Sequence, residues 1–388
     1  MTLLVFEPSQ GGHQAVYARH LVEGWRRRGS PGALVLAAPG PVLDGLAETL
    51  AGAGATAAPV RPGEVTPPGR GLANALGRGR MAPLRRVAAA HRPDHVLLMN
   101  FEHFVGPLAR RAAVPGRPAL GALAFHTGAD LPRTARTVAR DAMLRAALRH
   151  PDLAALYTVD PTAPPRVRAL GARAVVAVPD PVPDPMPTPP ARVTRAAWGV
   201  QDGRRLAVLL GTLDGRKGAA VLLDALLHLP DDAGRQLAVV VAGRVAEPVR
   251  GAVARGLARA RSETAVQVVH RPGFVSDADL AALTAAADVV LLPYPGQIGS
   301  SGFLMAAAAA GTPVLTQRTG LMGWLTRTHG LGQTADTGSA PAVAAGLARA
   351  VADPGVDFRP ERARAFAARH TPAAFADALL DPILGPAR

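Results

Sequence analysis

Between Asp288 and Leu315 the sequence reads as strand, tight loop, helix, tight turn and strand, and no other stretch limits the possible fold so sharply. Val289 to Leu292 is a short apolar run, as expected of a strand buried on both faces of a parallel sheet. Pro293 and Pro295 end it. Gly299, Ser300, Ser301 and Gly302 then open a helix expected to run to about Ala310, and Gly311 closes it before Thr312-Pro313-Val314-Leu315. Small residues let a ligand reach the backbone, and the first N–H groups of a helix have no partner within it. Together these features suit a phosphate or diphosphate. Taken alone, the same residues also read as an ordinary strand–helix crossover.

The rest of the chain repeats this alternation. Leu3 to Phe6 reads as a buried strand, Ser9-Gln-Gly-Gly-His13 as a glycine loop, Ala15 to Arg28 as an amphipathic helix, and Ala33 to Ala37 as the next strand. Gly11 and Gly12 lie at a strand's carboxyl end, where open α/β sheets bind ligands, but the loop is not G-x-G-x-x-G. A nicotinamide site is therefore disfavoured. Residues 41–93 read as helix-like runs between Pro/Gly loops, and Arg61 to Arg92 offers a basic face for an anionic membrane or for solvent. Apolar strands at 95–99, 119–125 and 153–159 are each followed by polar residues: Asn100, Glu102 and His103; His126; and Asp160. Clustered at one sheet edge, such residues would line a cleft.

Pro179 to Pro190 is too proline-rich for regular structure and reads as a linker. After it the pattern starts again, with a strand at 206–210, the loop Gly211-Thr-Leu-Asp-Gly-Arg-Lys-Gly218, and strands at 237–242 and 266–270. The expected organisation is an N-terminal domain over 1–180, the linker 181–190, a C-terminal domain over 191–370, and a last helical segment over 371–388. Such alternation implies parallel sheets with right-handed crossovers.

Composition excludes several classes. Cysteine is absent, so neither disulfides nor thiolate metal sites can form. No apolar run approaches the roughly 20 residues of a membrane helix. Net charge is +14, most of it before the linker, which suits anionic ligands or surfaces. Aromatic residues make up 4 %, too few for nucleic-acid stacking platforms. No His, Asp or Glu cluster has metal-ligand spacing, and Gly211 to Lys217 does not form a Walker loop. A cytoplasmic protein is expected, peripheral at the inner membrane face if it meets a membrane at all.

Five segments together resemble the GT-B glycosyltransferases of the retaining, family-4 kind: Leu210 to Gly218, Gly273 to Leu280, Ala287 to Pro293, Ala310 to Val314, and Gly11-Gly12. The resemblance implies two Rossmann-like domains with parallel sheets facing across a cleft. It also implies sugar transfer from a nucleotide-sugar to a glycan or lipid-linked acceptor, with retention, without metal and without a cofactor. By the same resemblance Gly11, Gly12, Arg216, Lys217, Gly273, Val275, Gly299, Ser300, Ser301 and Gly302 would hold the donor, and His126 would be the catalytic histidine. His13, Glu102 and His103 are the acceptor-side candidates. The chain departs from the family pattern in three places. Thr212 stands where the family has an Arg, and Ile298 and Ala306 stand at its two glutamates. A non-catalytic binding protein and a nucleotide-sugar epimerase are the alternatives.

Overall fold

The computed structural model describes residues 1–9, 13–61, 78–126 and 135–386. They divide into two units, Met1–Pro181 with Thr371–Arg388 and Val182–His370. Each is a parallel sheet flanked by helices.

In the first unit the strands are β1 (Thr2–Phe6), β2 (Ala33–Pro39), β3 (Thr56–Val60), β4 (His95–Leu98), β5 (Ala119–Ala124), β6 (Leu153–Thr158) and β7 (Val175–Ala177). They lie in the order β3-β2-β1-β4-β5-β6-β7, all parallel. Residues 3 to 6 of β1 are fully buried, as their unbroken apolar run requires. The helix His13–Arg27 covers one face with Leu21, Val22 and Trp25. Against it packs the helix Pro372–Leu384, which buries Phe375, Leu379 and Leu380 completely. Gly24 permits this approach, because a Cβ there would lie 2.5 Å from that of Ala376. Tyr17 stacks on Phe375 at 5.1 Å and on Phe125 at 5.5 Å, and its hydroxyl donates to Asp180 at 2.6 Å.

Two elements depart from the sequence reading. Thr56–Val60 is a strand, where helix-like runs were expected. It lies at the sheet edge, and only Ala58 and Val60 are buried, so it lacks the continuous apolar run of a central strand. The expected basic face also divides. Arg85 and Arg86 are exposed, whereas Arg80, on the helix Arg78–His91, is 4 % exposed.

The second unit holds β8 (Arg205–Leu210), β9 (Leu237–Gly243), β10 (Gln267–Pro272), β11 (Val289–Leu292), β12 (Val314–Gln317) and β13 (Gly332–Ala335). Their order is β10-β9-β8-β11-β12-β13, again all parallel. In both sheets the winding reverses beside the unit's first strand, between β1 and β4 and between β8 and β11. Loops diverge at such a point and leave a crevice at the strands' carboxyl ends.

Candidate active site

In the second unit the crevice is built from four neighbouring loops. The loop after β8 is tied to the end of β9, with Gly211 N–H donating to Ala242 O at 3.0 Å and Leu213 N–H to Arg244 O at 2.8 Å. Gly243 has φ 143, and a Cβ there would overlap the Gly211 carbonyl, so this approach requires glycine. Gly273 N–H reaches Gly243 O at 3.3 Å and brings in the loop after β10. On the other side, a Cβ on Gly218 would lie 2.9 Å from Pro295 of the loop after β11.

That loop leads into the helix Gly302–Ala310. Ser301 is its N-cap, with extended backbone (φ −143°, ψ 131°) and Oγ accepting from Phe303 N–H at 3.3 Å. The small residues at 299–302 therefore present the helix's opening turn, where positive partial charge collects. Ser300 Oγ is buried there without a hydrogen-bond partner among the described residues.

Lys217 lies beside this turn. Its Nζ is 4.3 Å from the Tyr294 ring centroid and 4.5 Å from that of Phe303, and it donates to Tyr294 Oη. Burial lowers the Lys217 pKa from 10.5 to about 8, with Asp214 opposing the shift and Arg216 adding to it. Burial also pushes the Tyr294 phenol well above its ordinary value, so it stays neutral. Arg216 takes a different role. Its guanidinium is 72 % exposed and pairs with Asp214 at 2.8 Å, within its own loop. Lys217 is thus the half-buried cation of the loop, and Arg216 is its exposed rim.

Gly273 and Val275 flank Phe274, which is 85 % exposed, the most exposed large apolar side chain among the described residues. A bare aromatic ring on the same sheet edge as the Lys217 loop is suited to stacking on a base. The sequence reading named its neighbours and passed over it, although an aromatic between a glycine and the next helix cap was the available signal. Tyr294 was likewise passed over between its two prolines.

The first unit has its own polar group at the β1–β4 crevice. Glu7, directly after β1, is fully buried, and its Oε1 accepts from Ser9 N–H at 2.7 Å. Burial raises its pKa from 4.5 to about 7, against the opposing effects of Ser9 and Arg80. Glu102 and His103 lie in the short turn Phe101–His103 that follows β4. Glu102 Oε1 accepts from the N–H groups of Phe125 at 2.7 Å and His126 at 2.5 Å, so it fixes the end of β5. Burial, aided by Arg80, lowers the His103 pKa to about 4, leaving its imidazole neutral near pH 7. His126 is exposed. His13 begins its helix, while Gly11 and Gly12 lie outside the described residues.

Within the second unit the structure therefore places Lys217, Gly299, Ser300, Ser301 and Gly302 along adjoining loops, with Gly273 and Val275 two strands away on the same edge. Within the first it joins Glu102 to His126 and sets His103 near Arg80. Among the described residues no three His, Asp or Glu side chains converge as a metal site would need, and no helix is long and apolar enough to cross a membrane.

Two parallel-sheet units of this strand order form the GT-B architecture of glycosyltransferases. Residues 204–353 match the family described as Glycosyl transferases group 1. Solved structures resemble the chain along nearly its whole length. HepE from Anabaena, in complex with UDP, is 17 % identical with a TM-score of 0.70, over 99 % of each chain. Sucrose-phosphate synthase from Thermosynechococcus elongatus is 15 % identical, with a TM-score of 0.67 over 97 % of this chain and 96 % of that one. WaaG, a glycosyltransferase involved in lipopolysaccharide biosynthesis, is 17 % identical with a TM-score of 0.65, over 99 % of this chain and 100 % of its own. No curated protein matches the chain in sequence.

Proposed function

We propose that this protein transfers a sugar from a nucleoside-diphosphate sugar to a glycan or lipid-linked acceptor, with retention at the anomeric carbon and without a metal. One observation carries the reading most: a half-buried lysine, Lys217, beside the opening turn of the helix Gly302–Ala310 at the β8–β11 crevice. When the bond between sugar and diphosphate breaks, negative charge grows on the departing phosphate. An ammonium and helix N–H groups held in place beforehand stabilise that charge where it forms. HepE has been crystallised with UDP-glucose, which makes the uridine nucleotides the first donors to test. His126, at the end of β5, is the histidine assigned to the reacting sugar, and Glu102 holds its backbone.

Titration calorimetry with UDP and UDP-glucose tests the donor site. Wild-type protein should bind UDP, and Lys217→Ala should weaken binding at least about tenfold, the loss of one charge-assisted contact. UDP binding that is unchanged in Lys217→Ala would overturn the site. Turnover that persists in EDTA and gives a product of the donor's anomeric configuration supports the metal-free, retaining course. Ile298 and Ala306, apolar where the resembling enzymes carry acids, favour a second reading in which the chain binds nucleotide without turnover. UDP binding with no transfer or hydrolysis of any donor would select that reading.

A further inference from the structure

In the first unit, Arg80 is a buried cation without an anion. Only 4 % of the residue is exposed. Its Nε has no hydrogen-bond partner, and no ion pair holds the guanidinium, among the described residues. An isolated charge is costly to bury, and arginine does not shed its proton to escape that cost. Arg80 also lies in the first turn of the helix Arg78–His91, which carries no acidic residue and adds positive partial charge.

Glu7 does not neutralise it. Among the described residues Glu7 is the one acid whose charge acts on Arg80, yet the two form no ion pair. Burial brings the Glu7 carboxyl to about 7, so much of it is protonated at neutral pH. Its Oε1 accepts from Ser9 N–H, while Oε2 is buried without a partner. The neighbouring groups are as incomplete. Phe6 and Leu98 are register partners, which sets Glu7 and Asn100 at adjoining strand ends. Asn100 is 8 % exposed, with Oδ1 unpartnered among the described residues. His103, close enough for Arg80 to lower its pKa, has Nδ1 unpartnered there as well. Buried polar atoms are normally paired, so such a group at one crevice marks a place for a ligand. A metal cation would meet the charge of Arg80. A guanidinium calls for an oxyanion, and the amide and imidazole beside it call for hydroxyls.

We propose that Arg80 binds an oxyanion, a phosphate or a carboxylate, borne by the acceptor, and that Asn100 and His103 meet hydroxyls beside it. The assignment to the acceptor rests on the transferase reading, whereas the anion site rests on the first unit alone. The acceptor is then acidic: a soluble sugar acid or sugar phosphate, or a lipid with an anionic headgroup.

Calorimetry would titrate the full chain, Arg80→Lys and Arg80→Met with glucose, glucose-6-phosphate and glucuronate. Sedimentation with vesicles of phosphatidylcholine, with and without phosphatidylglycerol, would follow. The wild type should prefer at least one charged probe to its neutral counterpart by at least about tenfold, the size of one charge-assisted contact. Arg80→Met should lose that preference. Arg80→Lys, which keeps the charge without the planar fork, should retain part of it. A preference confined to the sugars places the anion on a soluble acceptor, and one confined to the vesicles places it on a lipid. Diffuse attraction of a basic protein to a vesicle does not depend on a buried side chain, so the loss in Arg80→Met reports the crevice. A wild type that treats charged and neutral probes alike overturns the proposal, as does a preference that survives in Arg80→Met. Should Arg80→Met lose the first unit's unfolding transition, the wild-type preference and its partial loss in Arg80→Lys decide instead. UDP would be titrated into each protein as well. Unchanged UDP affinity in the variants supports the acceptor assignment, and a tenfold loss would place Arg80 on the donor and overturn it. If the wild type does not bind UDP, the transferase reading falls while the anion titrations still decide Arg80.

Discussion

Lys217 is a cation held between two aromatic rings, and its charge is adjustable because burial brings its pKa to about 8. Diphosphate binding favours the protonated form, so it raises this pKa. Affinity for UDP should therefore be level below about pH 7 and fall by up to about tenfold per pH unit above pH 8, as measured by calorimetry. The other groups facing the ammonium hold their charge through this window: Asp214 has a pKa below its ordinary value, with Arg216 offsetting the effect of burial, and Tyr294 remains neutral. Tyr294 Oη accepts from the ammonium and thereby favours its charged form. Tyr294→Phe should move the fall in affinity to lower pH by less than about one unit, since one hydrogen bond is worth about 0.5–1.5 kcal/mol. An unmoved profile would assign Tyr294 to packing alone.

Glu7 shows the opposite sign. Its carboxyl is protonated more readily in the folded chain, at about 7 against 4.5, so the stability it contributes is complete below pH 4.5 and is lost as pH rises through 7. That difference corresponds to roughly 3 kcal/mol at full ionisation. Glu7→Gln should flatten the stability–pH curve of the first unit between those values, as read by urea denaturation at each pH. An unchanged slope would show that Glu7 is ionised throughout.

At the scale of elements, the contact between His13–Arg27 and Pro372–Leu384 depends on the missing side chain of Gly24. Gly24→Val would force the helices apart and strain a fully buried seam. The expected cost is about 1–3 kcal/mol of overpacking, visible as a lowered melting temperature. Arg28 reinforces the seam, pairing with Asp377 at 3.0 Å and also with Asp381. On the second sheet, the loop after β10 holds Phe274 almost fully in solvent. If that ring stacks on the donor base, Phe274→Ala should weaken UDP binding by about 1–3 kcal/mol while leaving the melting temperature of the free protein nearly unchanged. Equal UDP affinity in the variant would remove Phe274 from the site.

Across the whole molecule, legibility in the sequence followed burial. Central strands such as Leu237–Gly243 are apolar throughout because both faces are covered, and the sequence reading found them. The edge strand Thr56–Val60 escaped it, since only two of its side chains are buried and Pro59 breaks the pattern. The glycine–serine turn before the helix Gly302–Ala310 was visible because its residues are consecutive. Arg80 looked like part of a solvated basic face, since local periodicity does not reveal that Glu7 waits across the sheet edge. The second unit has a single apolar core, built from residues 182–366, and the first has two, of which one lies within residues 4–175 and the other joins residues 3–178 to 375–380. Removing residues 371–388 would take Phe375, Leu379 and Leu380 out of the second of these, at about 1.5–3 kcal/mol for each buried side chain. The core of residues 182–366 loses nothing by that deletion. Calorimetric unfolding should then show the transition of the first unit falling or vanishing in the truncated chain, while a second transition persists and is still raised by UDP. Loss of the UDP-sensitive transition in the truncated chain would show that the two units do not fold independently.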